Sequence, residues 1–392
     1  MSTSGRWLLP EGIEESLPAE ARKLEAMRRQ LLDLFASWGY EIVMPPFIEY
    51  LESLLTGTGH DLDLQTFKLT DQLNGRLMGV RADITPQVAR IDAHRLNQDA
   101  PTRLCYLGTV LRTRPEVQGG SRSPLQLGAE LYGANDIAAD IEIISLMLEA
   151  LEAVGLKELT LDLGHQGVFS NLVDALKLDS EQESILIDIL QRKALPELNG
   201  FLDGIGIDDS GIQALRTLCE LNGGSEVLES AAASLGDYAH EPLSQLTQVV
   251  TTLGKRLPDV NVHVDLAELR GYRYHTGLVF SVFVPEYGQA IAKGGRYDDI
   301  GRVFGRSRPA TGFSADLKLL AALSKSNTIT AQPAIFSPWV EDNELQLLVR
   351  QLRNAGERVL YQLPGQSGDA SAMGCDREII KQNGKWLVQT VA

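Results

Sequence analysis

Cysteine is scarce in this 392-residue chain: three residues, Cys105, Cys219 and Cys375, lie far apart with no CxxC pair. Neither a disulfide framework nor a thiolate zinc site is expected, and a reducing, cytoplasmic setting fits. The six histidines, His60, His94, His165, His240, His263 and His275, show no HxH or HxxxH spacing, so no metal site is expected either. Basic residues are outnumbered, 36 against 52 acidic ones, for a net charge of −16. Phosphate backbones are gripped chiefly by cations, so no nucleic-acid partner is expected. No run of about 18 apolar residues occurs, and the opening MSTSGRWLLPEGIEESLP lacks a basic stretch followed by an apolar one. Neither a membrane span nor an export signal is expected. GxxxxGK[ST], a GxGxxG after a strand, and GxSxG are all missing, which removes the phosphate-loop, dinucleotide and nucleophile-elbow readings. No cofactor is expected.

What remains is an ordinary globular composition, 44% apolar and 22% charged, in a chain long enough for two to three domains of ~150 residues. Leu24, Met27, Leu31, Leu34, Phe35 and Trp38 recur at helical spacing and predict an amphipathic helix over 18–38 that ends at Gly39. YEIVMPPFIEY reads as a strand turning at Pro45-Pro46, and KLTDQLNGRLMGVRADITP as a hairpin through Asn74-Gly75. Thr85 and Pro86 are expected to cap and open the helix QVARIDAHRL. CYLGTVLR and PLQLGAELYG read as strands joined by a loop, and IAADIEIISLMLEALEAVG as a helix closed by Gly155. LKELTLDL alternates as a strand does. Residues of about 165–257 are helix-patterned, and strands resume at VNVHVDLAEL, GLVFSVFVPE and QAIAKGGRYD. Residues 151–258 hold 17 acidic and 7 basic side chains, a local net charge of −10, a poor surface for a phosphate backbone. The last segment, 325–392, predicts a small α/β module: AIFSPW, RVLYQLP and KWLVQTV as strands and NELQLLVRQLRNAG as a helix.

The loop in LRTRPEVQGGSRSPLQLGAELYG carries Arg112, Arg114 and Arg122. Guanidinium forks between antiparallel strands suit a carboxylate or phosphate; a solvated basic loop fits the spacing equally well. Gln126 and Glu130, four apart on one strand, share a face and could read a ligand's ammonium, or form a polar outer face. Asp83 and Thr85 precede a proline, where ligand contact and helix capping are not separable by pattern. Arg270, Tyr272 and Tyr274 alternate in LRGYRYHTGLVF, which as a strand would put them on one face, of a pocket or of a surface sheet.

Together these segments resemble the catalytic core of a class II aminoacyl-tRNA synthetase, the histidyl enzyme in particular, over residues 6–323. GYEIVMPPFIEY resembles motif 1, VRADITPQVAR the LRPEGTAxxxR segment, YLGTVLRTRP…PLQLGAELYG motif 2, LRGYRYHTGLVF the RGLDYYxxTxFE segment, KGGRYDDI the GGGRYDxL segment, and ATGFSADLKLL falls at motif 3. The resemblance implies an α+β fold: a class II synthetase-like antiparallel sheet with flanking helices in a core of residues 1–323, a helical insertion at about 165–257, and a small C-terminal α/β domain at 325–392. Motif 1 implies a homodimer core.

The departures bear on function. Where motif 2 has FRxE this chain has LRTR, placing Arg114 at the acid; where motif 3 has GFxxGxERL it has Leu319 at the arginine and Asp316 at a glycine, next to the phosphate position. Altering two preorganised electrostatic partners, each commonly worth about 2.7–4 kcal/mol, implies that adenylation is lost. Asp83, Thr85, Arg112, Gln126, Glu130, Arg270, Tyr274 and Tyr297 match amino-acid pocket positions, while Arg273 and His275 replace an aspartate and a tyrosine of RGLDYY. Only 69 residues follow Leu323, short for an anticodon-binding domain. Such a chain is closely similar to the family of ATP phosphoribosyltransferase regulatory subunits. That resemblance implies a non-catalytic, cytoplasmic protein that binds the short-form catalytic subunit, typically as a hetero-octamer, and mediates allosteric feedback inhibition by histidine in the first step of histidine biosynthesis. The alternatives are an active histidyl-tRNA synthetase and a free-standing amino-acid-sensing module.

Overall fold

A computed structural model of the chain describes residues 7–56, 60–116, 120–269, 271–272, 274–325 and 333–391, with the side chains at 60 and 61 left aside. Its residues group into two units, Met1–Ser16 with Leu24–Ser326, and Leu17–Lys23 with Asn327–Ala392.

Helix α1 (Pro18–Ser37) buries Leu24, Met27, Leu31 and Phe35, one stripe at intervals of three and four. Fully burying a large apolar side chain contributes ~1.5–3 kcal/mol, so packing of this stripe rather than helix propensity holds α1. Gly39 at φ 82° turns the chain so that Tyr40 N reaches back to Phe35 O at 3.0 Å, a left-handed stop. β1 (Glu41–Ile42) and β2 (Ile48–Tyr50) flank the prolines and belong to different sheets. α2 (Leu51–Leu54) and α3 (His60–Gln65) lead to the hairpin β3 (Phe67–Thr70) and β4 (Leu77–Val80), which with β2 forms a three-stranded sheet in the order β2-β4-β3. α4 (Thr85–Arg90) runs into a π turn, Ile91–Leu96.

β5 (Thr102–Thr109), β6 (Leu125–Tyr132), α5 (Ile137–Ala153) and β7 (Thr160–His165) follow. Next come α6 (Gln166–Leu176), α7 (Ser180–Gln191), α8 (Leu195–Leu202), α9 (Asp209–Glu220), β8 (Asn222–Gly223), α10 (Val227–Leu235) and α11 (His240–Arg256). β9 (Asn261–Asp265), β10 (Leu278–Val284), β11 (Tyr287–Arg296), β12 (Ala310–Asp316) and α12 (Leu317–Leu323) complete the first unit. Its described residues form a nine-stranded sheet, β1-β5-β6-β12-β11-β10-β7-β9-β8, antiparallel except at β1/β5 and β7/β9.

Strand alternation gives this sheet two unlike faces. Leu127, Ala129 and Leu131 of β6 and Phe313 and Ala315 of β12 join one large core with the apolar stripe of α1 and most of α5. Their neighbours Gln126, Gly128 and Glu130 point the other way and stand in register with Asp316, Ser314 and Gly312 of β12. One face is therefore committed to packing, and the other is free to carry polar chemistry.

The second unit has strands β13 (Ala334–Ser337), β14 (Arg358–Tyr361), β15 (Cys375–Gln382) and β16 (Lys385–Thr390), in the order β14-β13-β15-β16. Helix α13 (Asn343–Asn354) buries Leu345 and Val349. Asp342 caps α13 by accepting from Glu344 N and Leu345 N.

Candidate amino-acid site on the open sheet face

Glu130 lies at the centre of the polar face and is 1% exposed. The Tyr106 hydroxyl donates to its Oε1 at 3.0 Å, and the Tyr297 hydroxyl donates to its Oε2. With its proton committed to Glu130, Tyr106 accepts from Thr85 Oγ1 at 3.0 Å. Two glycines make this possible. A Cβ on Gly312 would stand 1.6 Å from Glu130 Oε2, and one on Gly128 would stand 2.4 Å from the Tyr106 hydroxyl oxygen. Glycine inside a strand marks such close approaches. Burial is the chief influence on Glu130 and pushes its pKa up to about 8, against the lowering effect of the tyrosine donors, so the carboxyl is mostly neutral at pH 7.

Gln126 is locked at both ends: its Oε1 accepts from Ile84 N at 2.9 Å, and its Nε2 donates to Asp83 Oδ1 at 2.8 Å. Asp83 Oδ1 also accepts from Thr85 N at 3.0 Å. Asp83, Thr85, Gln126, Glu130 and Tyr297 thus form one network. Its wall is aromatic. Tyr274 stacks on Tyr297 with centroids 5.2 Å apart at 23°, and His275 meets Tyr274 edge-on at 5.1 Å. Burial brings the His275 pKa down to about 4 and leaves the imidazole neutral.

Several sequence expectations change. Thr85 does not cap: it is the first helical residue of α4, which has no side-chain cap, and its hydroxyl is spent on Tyr106. Gly271, Tyr272 and Tyr274 lie in a turn, and β10 begins only at Leu278. Alternation therefore fails there: Tyr272 packs edge-on against Phe169 of α6 at 5.2 Å, while Tyr274 faces Tyr297. Arg270 and Arg273 lie outside the described residues.

The three loop arginines do not converge. Arg122 is structural, donating to Arg112 O and Glu11 O at 3.1 Å each and lying over the Phe67 ring. Arg114 is exposed on a bend. Arg112 reaches the site, donating from Nε to Ala82 O at 3.3 Å and from Nη1 to Glu116 Oε2 at 2.5 Å. Asp316 is an N-cap rather than a loose charge; its Oδ1 accepts from Leu125 N at 2.9 Å and from Lys318 N at 3.0 Å. Leu319 packs, partly buried, against the main core.

Sequence reasoning missed Tyr106, which sits inside an apolar strand and gave no polar signal. It also missed Lys293, whose ammonium pairs with Glu116 beside Arg112. On the helix-covered face a separate polar cavity of about 470 Å³ is lined by Asp140, His165, Gln245, Arg296 and Asp298. There Arg296 pairs with the buried Asp140 at 2.7 Å. Among the described residues, no helix is long and apolar enough to cross a membrane.

Residues 12–320 match the family profile described as histidyl-tRNA synthetase. Residues 332–389 match the ATP phosphoribosyltransferase subunit HisZ C-terminal domain. A curated ATP phosphoribosyltransferase regulatory subunit from Thioalkalivibrio sulfidiphilus is 56% identical over 392 residues, 99% of each chain. Among solved structures, an ATP phosphoribosyltransferase regulatory subunit/histidyl-tRNA synthetase from Bacillus halodurans superposes with a TM-score of 0.83 at 28% identity, covering 95% of this chain and 97% of that one. A chain of the ATP phosphoribosyl transferase (HisG:HisZ) complex from Thermotoga maritima gives a TM-score of 0.59 at 18% identity, covering 74% of this chain and 96% of that one, a likeness of fold.

Proposed function

Since this chain belongs to the ATP phosphoribosyltransferase regulatory subunit family, on a histidyl-tRNA synthetase-like body, we propose that it is the non-catalytic partner of a short ATP phosphoribosyltransferase, raising that subunit's activity and conveying feedback inhibition by histidine. The chemistry it serves is the joining of ATP to phosphoribosyl pyrophosphate, the first step of histidine biosynthesis, in the cytoplasm.

The observation that carries this reading is the division within one site. The amino-acid floor of Asp83, Thr85, Gln126, Glu130 and Tyr297 is a complete hydrogen-bonded network. The ATP side has Arg114 at the motif 2 acid and Leu319 at the motif 3 arginine, and both Arg114 and the core-packed Leu319 lack the roles adenylation needs. A neutral Glu130 carboxyl can donate to one atom and accept from another, which suits a neutral imidazole. The Tyr274 hydroxyl, buried and without a hydrogen-bond partner among the described residues, would gain one from a bound ligand. Feedback requires only that histidine bind two states of the complex unequally, and a coupling of ~1–3 kcal/mol gives roughly 5–150-fold inhibition.

The assembly is a homodimer core extended to a hetero-octamer. Supporting the dimer, β1 is an edge strand, and Ile42, Met44, Phe47 and Ile48 around the prolines are 40–81% exposed, a concentration of apolar surface that marks interaction sites. The test is reconstitution with a short-form catalytic subunit: the chain should copurify with it, raise its turnover and make it inhibitable by histidine. A catalytic subunit indifferent to the chain, or robust histidine-dependent ATP–pyrophosphate exchange by the chain alone, would overturn the proposal. Unchanged calorimetric histidine binding in a complex carrying Gln126→Ala and Glu130→Ala would overturn the pocket placement.

A further inference from the structure

Two cations on the open face share one carboxylate. Lys293 Nζ and Arg112 Nη1 both reach Glu116, one on each oxygen. Lys293 belongs to β11, and the register carries it through Ser314 to Gly128, one pleat repeat from the row that joins Gly295, Gly312 and Glu130. That offset is roughly 7 Å along the strand, comparable to the distance from ring to carboxylate in an aromatic amino acid. The Lys293 side chain is 56% exposed, unlike the closed network around Glu130. Protein crowding and the nearby Arg112 charge push its pKa down, while Asp83 acts the other way. The site therefore presents three features: a neutral carboxyl among aromatics, a cation pair, and Asp83, near enough to act on both Glu130 and Lys293.

We propose that Lys293 and Arg112 form the subsite for the carboxylate of the bound amino acid, with Glu116 holding it as an internal competitor. The assignment rests on the amino-acid pocket reading above. Asp83 then faces the ligand's ammonium, and the ring lies toward Glu130. Glu116 suits a displaceable place-holder: it is four residues from Arg112 in the loop and 46% exposed, and exposed ion pairs contribute little to stability. An incoming carboxylate replaces it ion for ion, so the cation pair keeps one anionic partner in both states. Lys293 stands where the synthetase-like pattern GGGRYD has its first glycine, so the cation is an addition to that pattern.

The test is calorimetry on the full chain in complex with its catalytic subunit, using L-histidine and histamine, which lacks the carboxylate. Lys293→Gln should weaken histidine on the order of ten- to a hundredfold, the reach of one charge-assisted hydrogen bond, and leave histamine unchanged; Lys293→Arg should restore most of the loss. Glu116→Gln should tighten histidine severalfold and leave histamine unchanged. Histidine binding that ignores Lys293→Gln, or that weakens in Glu116→Gln, refutes the subsite and leaves the pocket standing. Absence of histidine binding by the wild-type complex removes both.

Discussion

Replacing Glu130 by glutamine should make the protein's stability less dependent on pH, in a direction set by its burial. The carboxyl pKa rises from 4.5 to about 8 in the fold, chiefly because burial penalises the charged form. Between these values the native chain keeps a proton that the unfolded chain has lost. Stability from this group is therefore fully present below about pH 4.5 and is lost as pH rises toward 8. At ~1.4 kcal/mol per unit, the loss between about pH 5.5 and 7.5 is ~2–3 kcal/mol. Glutamine cannot titrate yet keeps the local geometry: its amide oxygen can accept from Tyr297, and its amide nitrogen can donate to Tyr106, which then turns its proton to Thr85. Urea midpoints of both proteins across this range read the difference directly. His165 and His275, both lowered by burial, titrate alike in the two and cancel. A wild-type minus variant difference that stays flat with pH would refute the argument that Glu130 is buried neutral.

Gly312→Ala should be destabilising by about 1–3 kcal/mol, the usual cost of overpacking, because its Cβ would sit 1.6 Å from Glu130 Oε2; a thermal midpoint equal to wild type would show that the strands have more room than the structure gives. Asp92→Ala should cost about 3–5 kcal/mol by leaving the buried Arg308 guanidinium without its 2.9 Å partner. Arg192→Ala, which breaks an exposed pair with Asp188, should leave the urea midpoint in place, and equal effects of the two substitutions would contradict the ranking by burial.

How far the chain could be read in advance follows the range of the interactions. The stripe of α1, the apolar run of α5, the turn at Asn74-Gly75 and the pairing of Gln126 with Glu130 on one face depend on neighbours two to four residues apart, and all appear in the structure. β15, CDREIIKQ, escaped because its charged residues hide the alternation, although Ile379 is buried. LRGYRYH misled because a period of two has meaning only in an extended chain, and at Gly271, Tyr272 and Tyr274 the backbone turns. Arg122 looked like an anion ligand by type and spacing, but its Nε and Nη1 are taken by the backbone carbonyls of Arg112, in the same loop, and Glu11, far along the chain.

By itself, then, the sequence determined most of the elements, the shared face of Gln126 and Glu130 and the segment order that marks the synthetase-like body, because local periodicity and turn chemistry act along the chain. Only the tertiary structure decided what the polar residues do. Strand register put Gly312 against Glu130 and so made a buried, neutral carboxyl; Tyr106, hidden in an apolar strand, became its partner; and Lys293, 181 positions from Arg112, came to share Glu116 with it. Desolvation and charge pairing act through space, and no spacing along the chain encodes the distances on which they depend.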